Sequence, residues 1–254
     1  MISERTLRYF LQIAYLGTRY HGWQQQQNAI TVQGVLQACL SQILRSNVKV
    51  VGSSRTDAGV HARQQFVHLD LPCTVAADCL HYQLNAVLPP DIAVVAMRLV
   101  KPTVHARFDA LARTYEYTIL RCKTPFQYET SCLLRGELDV HRMNEAAAIL
   151  CRKQDFKGLC KVRVDDAHFL CDITEASWSV QEERLVFRIK ANRFLRSMVR
   201  VIVSLLLKIG QGKLSLLAFE ALIDQKERNL AVSLVPARGL TLTQVIYPEA
   251  VFLS

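Results

Sequence analysis

The sequence predicts an α+β protein built from two ferredoxin-like βαββαβ halves, whose strands form one continuous, mainly antiparallel sheet with helices on one face. Segments typical of strands and helices occur in this order twice along the 254 residues. Half of the residues are hydrophobic, which is enough for each half to bury its own core. The join between the halves gives predicted segments 1–104 and 105–254.

The first half shows six elements in order. Aromatic and β-branched residues that end at Gly17 predict a strand over residues 7–16. Apolar residues at helical spacing predict a helix over residues 31–44. A second helix, over residues 76–87, is ended by two consecutive prolines. The other predicted strands cover residues 48–51, 65–71 and 92–100.

The second half repeats the pattern with one helix added. Alternating aromatic and polar residues predict a strand over residues 112–120, and Asp139 is the predicted N-cap of a helix over residues 140–150. Two strands, at residues 172–180 and 184–191, read as a hairpin around three polar residues. The remaining predicted elements are helices over residues 195–209 and 214–223 and a strand over residues 240–247.

The charge of the chain is strongly basic. The 31 Lys and Arg residues exceed the 22 Asp and Glu residues, which gives a net charge of +9. This favours an anionic partner, with nucleic acid the leading candidate, although a solubility charge without a partner has the same composition. Residues 184–219 contain eight Lys or Arg and no acid. Within this span Arg196 and Arg200 are four apart and are expected to share a helix face with Arg193 nearby, where they would bind phosphate or carboxylate.

Several classes of protein are excluded by composition. A disordered acidic tail and a collagen-like chain do not fit this balance of residues. No stretch of 18 apolar residues occurs, so a membrane span is not expected, and the first residues do not resemble a signal peptide. None of the eight cysteines forms a CxxC pair, which favours inert thiols over a metal or redox site. A reducing cytoplasm is therefore the expected location.

The densest polar segment covers residues 52–62, between two predicted strands. Asp57 is the only carboxylate between Glu4 and Asp70, and Arg55 lies two residues before it. An arginine that folds back on this carboxylate would keep it ionised, which suits a nucleophile or an electrostatic stabiliser. A structural Asx-turn accounts for the same local residues equally well.

Two other segments contain aromatic residues that could contact a nucleic acid. Tyr115 and Tyr117 lie on one face of a predicted strand, either as core residues with a wet hydroxyl or as a surface on which a base stacks. At the join of the halves, Arg107 stands beside Phe108 and places a cation next to an aromatic ring. The consensus of the RRM is absent, which argues against a simple RRM.

The run Arg55-Thr56-Asp57-Ala58-Gly59-Val60-His61-Ala62 resembles the signature loop of the tRNA pseudouridine synthase A family. Other blocks resemble the family in the same order, and together they cover almost the whole chain. These blocks are residues 15–17 with 21–24, residues 31–33, residues 85–89 with 91–92, residues 105–108 with 113–117, residues 192–200 and residues 239–240.

The resemblance implies isomerisation of uridine to pseudouridine in the anticodon stem-loop of tRNA, at tRNA positions 38 to 40. It implies no metal, no cofactor and a homodimer whose basic clefts hold tRNA. By this resemblance Asp57 is the nucleophile, Arg55 helps to displace the target base and Tyr115 stacks on the flipped uracil. Arg200 would pair with Asp57, and Leu240 would line the uracil pocket. The predicted contacts with the rest of the tRNA are Arg107, Arg193 and Arg196.

Some alternatives stay open at this point. The residues do not choose between attack of Asp57 on C1′ of the ribose, attack on C6 of the base, and abstraction of a proton. A non-catalytic RNA-binding module is disfavoured by the intact loop together with Tyr115 and Arg200. A nucleoside hydrolase-like enzyme that uses Asp57 with water is disfavoured because no second acid is near.

Four residues depart from the family's usual pattern. Ser53 and Ser54 precede Arg55 where Ala-Gly is frequent, Gln64 stands in place of a common glycine, and Ser197 in place of a frequent histidine. They concern loop details and substrate range rather than the reaction. The cysteine-containing stretch over residues 151–171 resembles the family only weakly.

Overall fold

The computed structural model describes residues 6–159, 169–225 and 233–253. The chain forms two units, one of Met1–Leu111 with Leu242–Ser254 and one of Ala112–Thr241. This division differs from the predicted boundary near residue 104, since the chain enters the second unit at Ala112 and returns to the first at Leu242. Cys160, one of the thiols predicted to be inert, lies outside the described residues.

The first unit has the predicted βαββαβ order. Its elements are β1 (Thr6–Tyr15), α1 (Val32–Leu44), β2 (Val51–Gly52), β3 (His61–Pro72), α2 (Ala77–Val87) and β4 (Ile92–Val100). The strands lie in the order β4-β1-β3-β2 and all neighbours are antiparallel, which is the ferredoxin-like arrangement. Helix α2 packs against β4 and α1. Strand β2 is shorter than the predicted strand over residues 48–51.

Strand β1 is the centre of this sheet because it pairs with β3 on one side and β4 on the other. Leu11 and Ile13 are fully buried on it. Its register with β3 shifts between Ile13 and Tyr15, close to the end of the strand. A shift of this kind bends a strand and re-aims its side chains, so the sheet is irregular where the polar loop of residues 53–60 meets it.

The described part of the second unit contains three antiparallel strands, a short parallel strand, the start of a fifth strand and three α-helices. Its elements are β5 (Ala112–Leu120), β6 (Cys132–Leu133), α3 (Val140–Leu150), β7 (Ile173–Gln181), β8 (Arg184–Ala191), α4 (Met198–Gly210), α5 (Leu216–Asp224) and the start of β9 (Leu240–Ile246). Strand β8 lies between β5 and β7, while the short β6 runs parallel to β5. Helix α3 packs against β7, α4 and α5. Asp139 caps α3 by accepting the Arg142 N–H at 2.9 Å, which confirms its predicted role.

The start of α4 differs from the prediction. The helix begins at Met198 rather than at residue 195, because Ser197 has a left-handed backbone with φ of 59°. Asn192, just before this point, exchanges two hydrogen bonds with Asp172 and accepts a third from Arg113. These bonds hold the preceding loop out of the helix. Arg196 therefore does not share a helix face with Arg200, and that prediction was wrong.

Both units combine a mostly antiparallel sheet with helices, which confirms the predicted α+β class. The continuity of the sheet from one half to the other stays a prediction. Within the described parts of the chain, no helix has the length and apolarity that crossing a membrane requires.

Candidate active site

Asp57 lies in the loop of residues 53–60, which joins β2 to β3. The loop ends in a turn in which the Val60 N–H donates to the Asp57 carbonyl at 3.1 Å. Gly59, the third residue of this turn, has a φ of 76°, the value that a type II turn requires there. The main chain closes the turn by itself, and the Asp57 side chain is half-buried. A carboxylate so placed is held by its backbone while keeping access to solvent.

Buried polar contacts fix the beginning of the loop. The Ser53 N–H donates to the Phe66 carbonyl at 2.8 Å, and the Ser53 hydroxyl donates to Gln65 Oε1 at 3.1 Å. Gln65 Nε2 donates in turn to the Ser54 carbonyl at 3.0 Å. All three polar residues are buried, so each lost bond would leave a desolvated group unpaired. The serines that depart from the family's pattern thus take part in a complete network.

The segment of residues 15–23, here called the clamp segment, holds the loop on both sides of Asp57. On one side, the Trp23 N–H donates to the Thr56 carbonyl at 3.1 Å, and the hydroxyls of Thr56 and Tyr15 share a hydrogen bond of 2.8 Å. On the other side, the Gly59 N–H donates to the Tyr20 carbonyl at 3.1 Å. Asp57 therefore lies between two anchored neighbours, which limits the positions that its carboxylate can reach.

Close packing between the clamp segment and the loop depends on Gly22. A Cβ atom added there would lie 2.5 Å from the Thr56 carbonyl oxygen and 3.1 Å from the Asp57 carbonyl carbon. Gly22 also has a φ of 87°, a conformation that side chains other than glycine rarely adopt. Both conditions require glycine at this position.

His61 serves the same packing. Its side chain is buried, and its Nδ1 accepts the Gly17 N–H at 2.9 Å. This bond assigns the ring proton of the neutral imidazole to Nε2. The histidine of the signature loop therefore fastens the clamp segment to β3.

Arg55 is exposed and forms no hydrogen bond or ion pair with Asp57 or with any other residue of the described ranges. The arrangement in which Arg55 folds back on Asp57 is therefore not the one that the structure describes. Buried Thr56 separates the two residues. The guanidinium is instead presented to solvent, where an anionic ligand can meet it.

Arg107 lies in a second ordered turn of the first unit. His105 Nδ1 accepts the N–H groups of Arg107 and Phe108 at 3.1 and 3.3 Å, and Asp109 accepts the His105 N–H at 2.7 Å. The Arg107 guanidinium lies 5.7 Å from the ring centroid of the exposed Phe108. The cation and the ring that the sequence placed together are thus adjacent in space.

His68 anchors this turn to β3. Its Nδ1 accepts the Ala106 N–H at 3.0 Å. Burial, followed by the nearby positive charge of Arg8, lowers the pKa of His68 to about 4. The ring is therefore neutral at pH 7 and can act as the acceptor.

In the second unit, the two tyrosines of β5 have different surroundings. Tyr117 is fully buried, and its hydroxyl donates to the Pro236 carbonyl at 2.9 Å, so it is a core residue with a satisfied polar end. Tyr115 lies opposite Ile189, and its ring meets the edge of Phe194 at 5.3 Å between centroids. Phe194 belongs to the loop before α4, so Tyr115 borders that loop.

Arg200 lies in the first turn of α4 and is half-buried. Its Nε donates to the Val235 carbonyl at 2.9 Å, which directs the guanidinium toward the chain that precedes β9. Leu240 is buried at the first position of β9. Both residues thus connect to the same segment of the second unit.

The basic span of residues 184–219 contains two kinds of arginine. Arg193 and Arg196 are exposed, and neither side chain has a hydrogen-bond or ion-pair partner among the residues that the structure describes. Arg188, in contrast, donates to Glu116 and Glu175, both at 2.9 Å. Two of these arginines are therefore available to an anion, while the third is already neutralised.

The pattern of residues did not reveal the clamp segment as a support for Asp57. Tyr15, Gly22 and Trp23 lie in segments that resemble the family, but the residue pattern alone gives them no role at the site. A usable signal was present, since two glycines and a tryptophan within a short non-periodic stretch indicate close backbone packing. In the described ranges, no three His, Cys, Asp or Glu side chains converge as a metal site would require.

Comparisons with known proteins agree with this architecture. A family model described as tRNA pseudouridine synthase matches residues 12–109 and 146–248. The chain belongs to the tRNA pseudouridine synthase family, whose members are isomerases that convert uridine to pseudouridine.

Individual relatives cover nearly the whole chain. It is 46% identical to tRNA pseudouridine synthase A of Porphyromonas gingivalis, over 97% of this chain and 99% of the relative. It is 45% identical to tRNA pseudouridine synthase A of Bacteroides thetaiotaomicron, over 96% of this chain and 92% of the relative. The protein of the same name from Chlorobaculum tepidum is 37% identical, over 96% of this chain and 99% of the relative.

Proposed function

We propose that this protein converts uridine to pseudouridine in the anticodon stem-loop of tRNA, at tRNA positions 38 to 40, with Asp57 as the nucleophile on a flipped-out uridine. The observation that carries the proposal is the anchored loop, in which Thr56 and Gly59 are both hydrogen-bonded to the clamp segment while the Asp57 side chain remains half-buried. Relatives that align over nearly the full chain are named tRNA pseudouridine synthase A.

The chemistry calls for a carboxylate in a fixed position. The glycosidic bond must break at N1 and re-form at C5, so the base has to be detached, rotated and rejoined without escaping. Attack on C1′, attack on C6 and proton abstraction each place one oxygen of Asp57 within bonding reach of a single atom. Fixing the carboxylate in advance removes orientational entropy from that step.

The target base must leave the helix before it reacts, which costs a few kcal/mol. Stacking on a protein ring or guanidinium recovers about 1–3 kcal/mol per base. We assign this role to Tyr115 and Arg55, and the exposure of Arg55 is consistent with it. The resemblance supports Arg200 as the cation for Asp57 and Leu240 as part of the uracil pocket.

Phosphate contacts are proposed for the remaining arginines. Arg193 and Arg196 are exposed and unpaired within the described chain, and Arg107 is presented by an ordered turn. Each such contact releases counterions, so the affinity for tRNA should fall steeply with salt. The resemblance also supports a homodimer that acts in the cytoplasm without metal or cofactor.

The test is Asp57→Asn, measured by release of tritium from tRNA that contains 5-tritiated uridine. We expect no detectable release, while the Kd for tRNA stays within about tenfold of the wild type because the amide keeps the shape of the loop. Asp70→Asn is the matched control, since it removes a carboxylate on β3 that pairs with Arg8 rather than with substrate. Pseudouridine formation by Asp57→Asn would show that Asp57 is not the nucleophile.

Mass-spectrometric mapping of the product tRNA tests the position. Pseudouridine at positions 38 to 40 supports the anticodon stem-loop as the target. Pseudouridine elsewhere in the tRNA would leave the reaction in place and overturn the proposed position.

A further inference from the structure

Two exposed aromatic rings lie in the second unit between β5 and β6, on the six-residue 3-10 helix Pro125–Thr130. Phe126 is 100% exposed and Tyr128 is 58% exposed. We call Phe126 and Tyr128 the aromatic platform. Two exposed rings this close together in the chain form an apolar surface with polar neighbours, the kind of surface that marks an interaction site.

The platform lies beside the segment that enters β9. The Arg238 guanidinium lies over the Tyr128 ring, 4.5 Å from the centroid. Arg238 is two residues before Leu240, the proposed uracil-pocket residue. Tyr117 holds this same segment through its bond to the Pro236 carbonyl. The platform is therefore next to residues to which the proposed function assigns the target base.

Cationic residues flank the platform in the sequence. Arg121 follows β5 and donates to the Gly136 carbonyl, which brings the segments on either side of the platform together. Lys123 is exposed just before the 3-10 helix, and Arg135 is exposed just after β6. Together with Arg238 they outnumber the acids of residues 121–137, which are Glu129 and Glu137.

The platform is also ordered before any partner binds. The Ser131 hydroxyl donates to the Gln127 carbonyl, and the Gln127 N–H donates to the Thr124 carbonyl at 3.3 Å. Ser131 itself is buried. Presenting the rings therefore costs little conformational entropy on binding.

We infer that the aromatic platform binds an unpaired nucleotide of the tRNA substrate, close to the target uridine, by stacking its base on Phe126 while the flanking cationic residues contact its phosphates. The inference rests on the proposed function. An apolar protein partner would match the rings but not the cationic residues beside them, whereas a nucleotide supplies a flat apolar base and an anionic phosphate together. A guanidinium stacked on an aromatic ring is likewise a feature of surfaces that bind bases.

The test measures the Kd of three full-length variants for a tRNA that the wild-type enzyme modifies. Phe126→Ala should raise the Kd roughly 5- to 140-fold, which is the stacking energy of about 1–3 kcal/mol at 1.4 kcal/mol per factor of ten. Phe126→Tyr should bind within about threefold of the wild type, because any flat ring can stack. Leu217→Ala is the matched control, since it removes another exposed apolar side chain of the same unit (82% exposed) without affecting a ring.

A Trp probe reports stacking directly. The two native tryptophans, Trp23 and Trp178, are 1% and 4% exposed, so the change in fluorescence of Phe126→Trp on binding, compared with that of the wild type, reports mainly on the new side chain. Saturating tRNA should quench this signal and shift it to shorter wavelength. Lys123→Ala should reduce the slope of log Kd against log salt, while Phe126→Ala should leave that slope unchanged because the ring carries no charge.

Two results would overturn the inference. One is an unchanged Kd for Phe126→Ala in an enzyme whose wild type makes pseudouridine, which would leave the proposed function intact. The other is a loss of dimer by Phe126→Ala in sedimentation velocity, which would assign the platform to a second copy of the chain. If the wild type formed no pseudouridine, the proposed function would fail instead, and the binding results would still decide whether the platform contacts RNA.

Discussion

Gly22→Ala tests whether the clamp segment positions Asp57. The new Cβ would lie 2.5 Å from the Thr56 carbonyl oxygen, while ordinary contacts begin at 3.4 Å, so the two chains must separate by about 0.9 Å. The same movement breaks the close packing next to the bond from the Trp23 N–H to Thr56. A displacement of about 1 Å at a catalytic group can cost about 10²-fold in rate, equivalent to roughly 2.7 kcal/mol.

The assay is a single-turnover measurement of tritium release with enzyme in excess over 5-tritiated tRNA, so that the rate reports the bound complex. We expect a fall of about 100-fold in this rate. The affinity for tRNA should change little, because the arginines proposed to contact it, Arg107, Arg193 and Arg196, lie outside the clamp segment. A fall in affinity with an unchanged rate would contradict the positioning role.

Gly212→Ala is the control for backbone strain. Gly212 also has a positive φ, of 69°, but an added Cβ there has no neighbour within 4 Å. Gly212→Ala should lose about 1–2 kcal/mol of stability in urea unfolding, because it forces an L-residue into the left-handed region. Gly22→Ala should lose at least as much, because its Cβ also clashes with the Thr56 carbonyl oxygen. Only Gly22→Ala should lose single-turnover rate. Equal rates in the two variants would show that the clamp segment does not hold Asp57 in place.

Two further predictions concern salt and pH. Arg196→Ala should reduce the slope of log Kd for tRNA against log salt by about 0.7–0.9, the loss of one phosphate contact, whereas Arg188→Ala should not, because Glu116 and Glu175 already neutralise Arg188. Identical slopes for the wild type and Arg196→Ala in filter-binding titrations would show that Arg196 makes no phosphate contact. The pKa of His68 is about 4 in the folded protein and about 6.5 in the unfolded chain. Between these pH values the unfolded chain binds one more proton than the folded protein, so the free energy of unfolding falls as the pH falls from about 6.5 to about 4. Between pH 7.5 and 4.5 the free energy of unfolding measured with urea should fall by roughly 2–3 kcal/mol, and this decrease should be absent in His68→Gln. The same decrease in both proteins would show that other groups cause it.

Local patterns predicted most of the elements because local chemistry decides them. The strands over Ile92–Val100, Ala112–Leu120 and Arg184–Ala191 have the predicted bounds, since each alternates or is uniformly apolar between clear turn residues. Asp139 caps α3 as predicted, because an aspartate side chain reaches the first free N–H groups of a helix within its own segment.

The start of α4 could not be predicted in this way. The apolar spacing continues back to residue 195, and nothing in it marks Ser197 as left-handed. The bonds that hold the preceding loop come from Asp172 and Arg113, which are distant in sequence. A helical pattern records only which residues would form one face, so competing tertiary contacts are invisible to it.

In the candidate site, too, the sequence determines some features and only the tertiary structure determines others. By itself the sequence determined the identity of the site loop, because the run from Arg55 to Ala62 and the single carboxylate within it are properties of composition and order. Only the tertiary structure decided how that carboxylate is held. The bonds from Trp23 and Tyr15 to Thr56, and from Gly59 to Tyr20, join residues that lie 33 to 41 positions apart in the chain. The structure also decided that Arg55 faces solvent while Arg188 is neutralised, although sequence counts both as the same positive charge. Charge is a property of a residue, whereas its availability depends on which opposite charges the fold brings within hydrogen-bond distance.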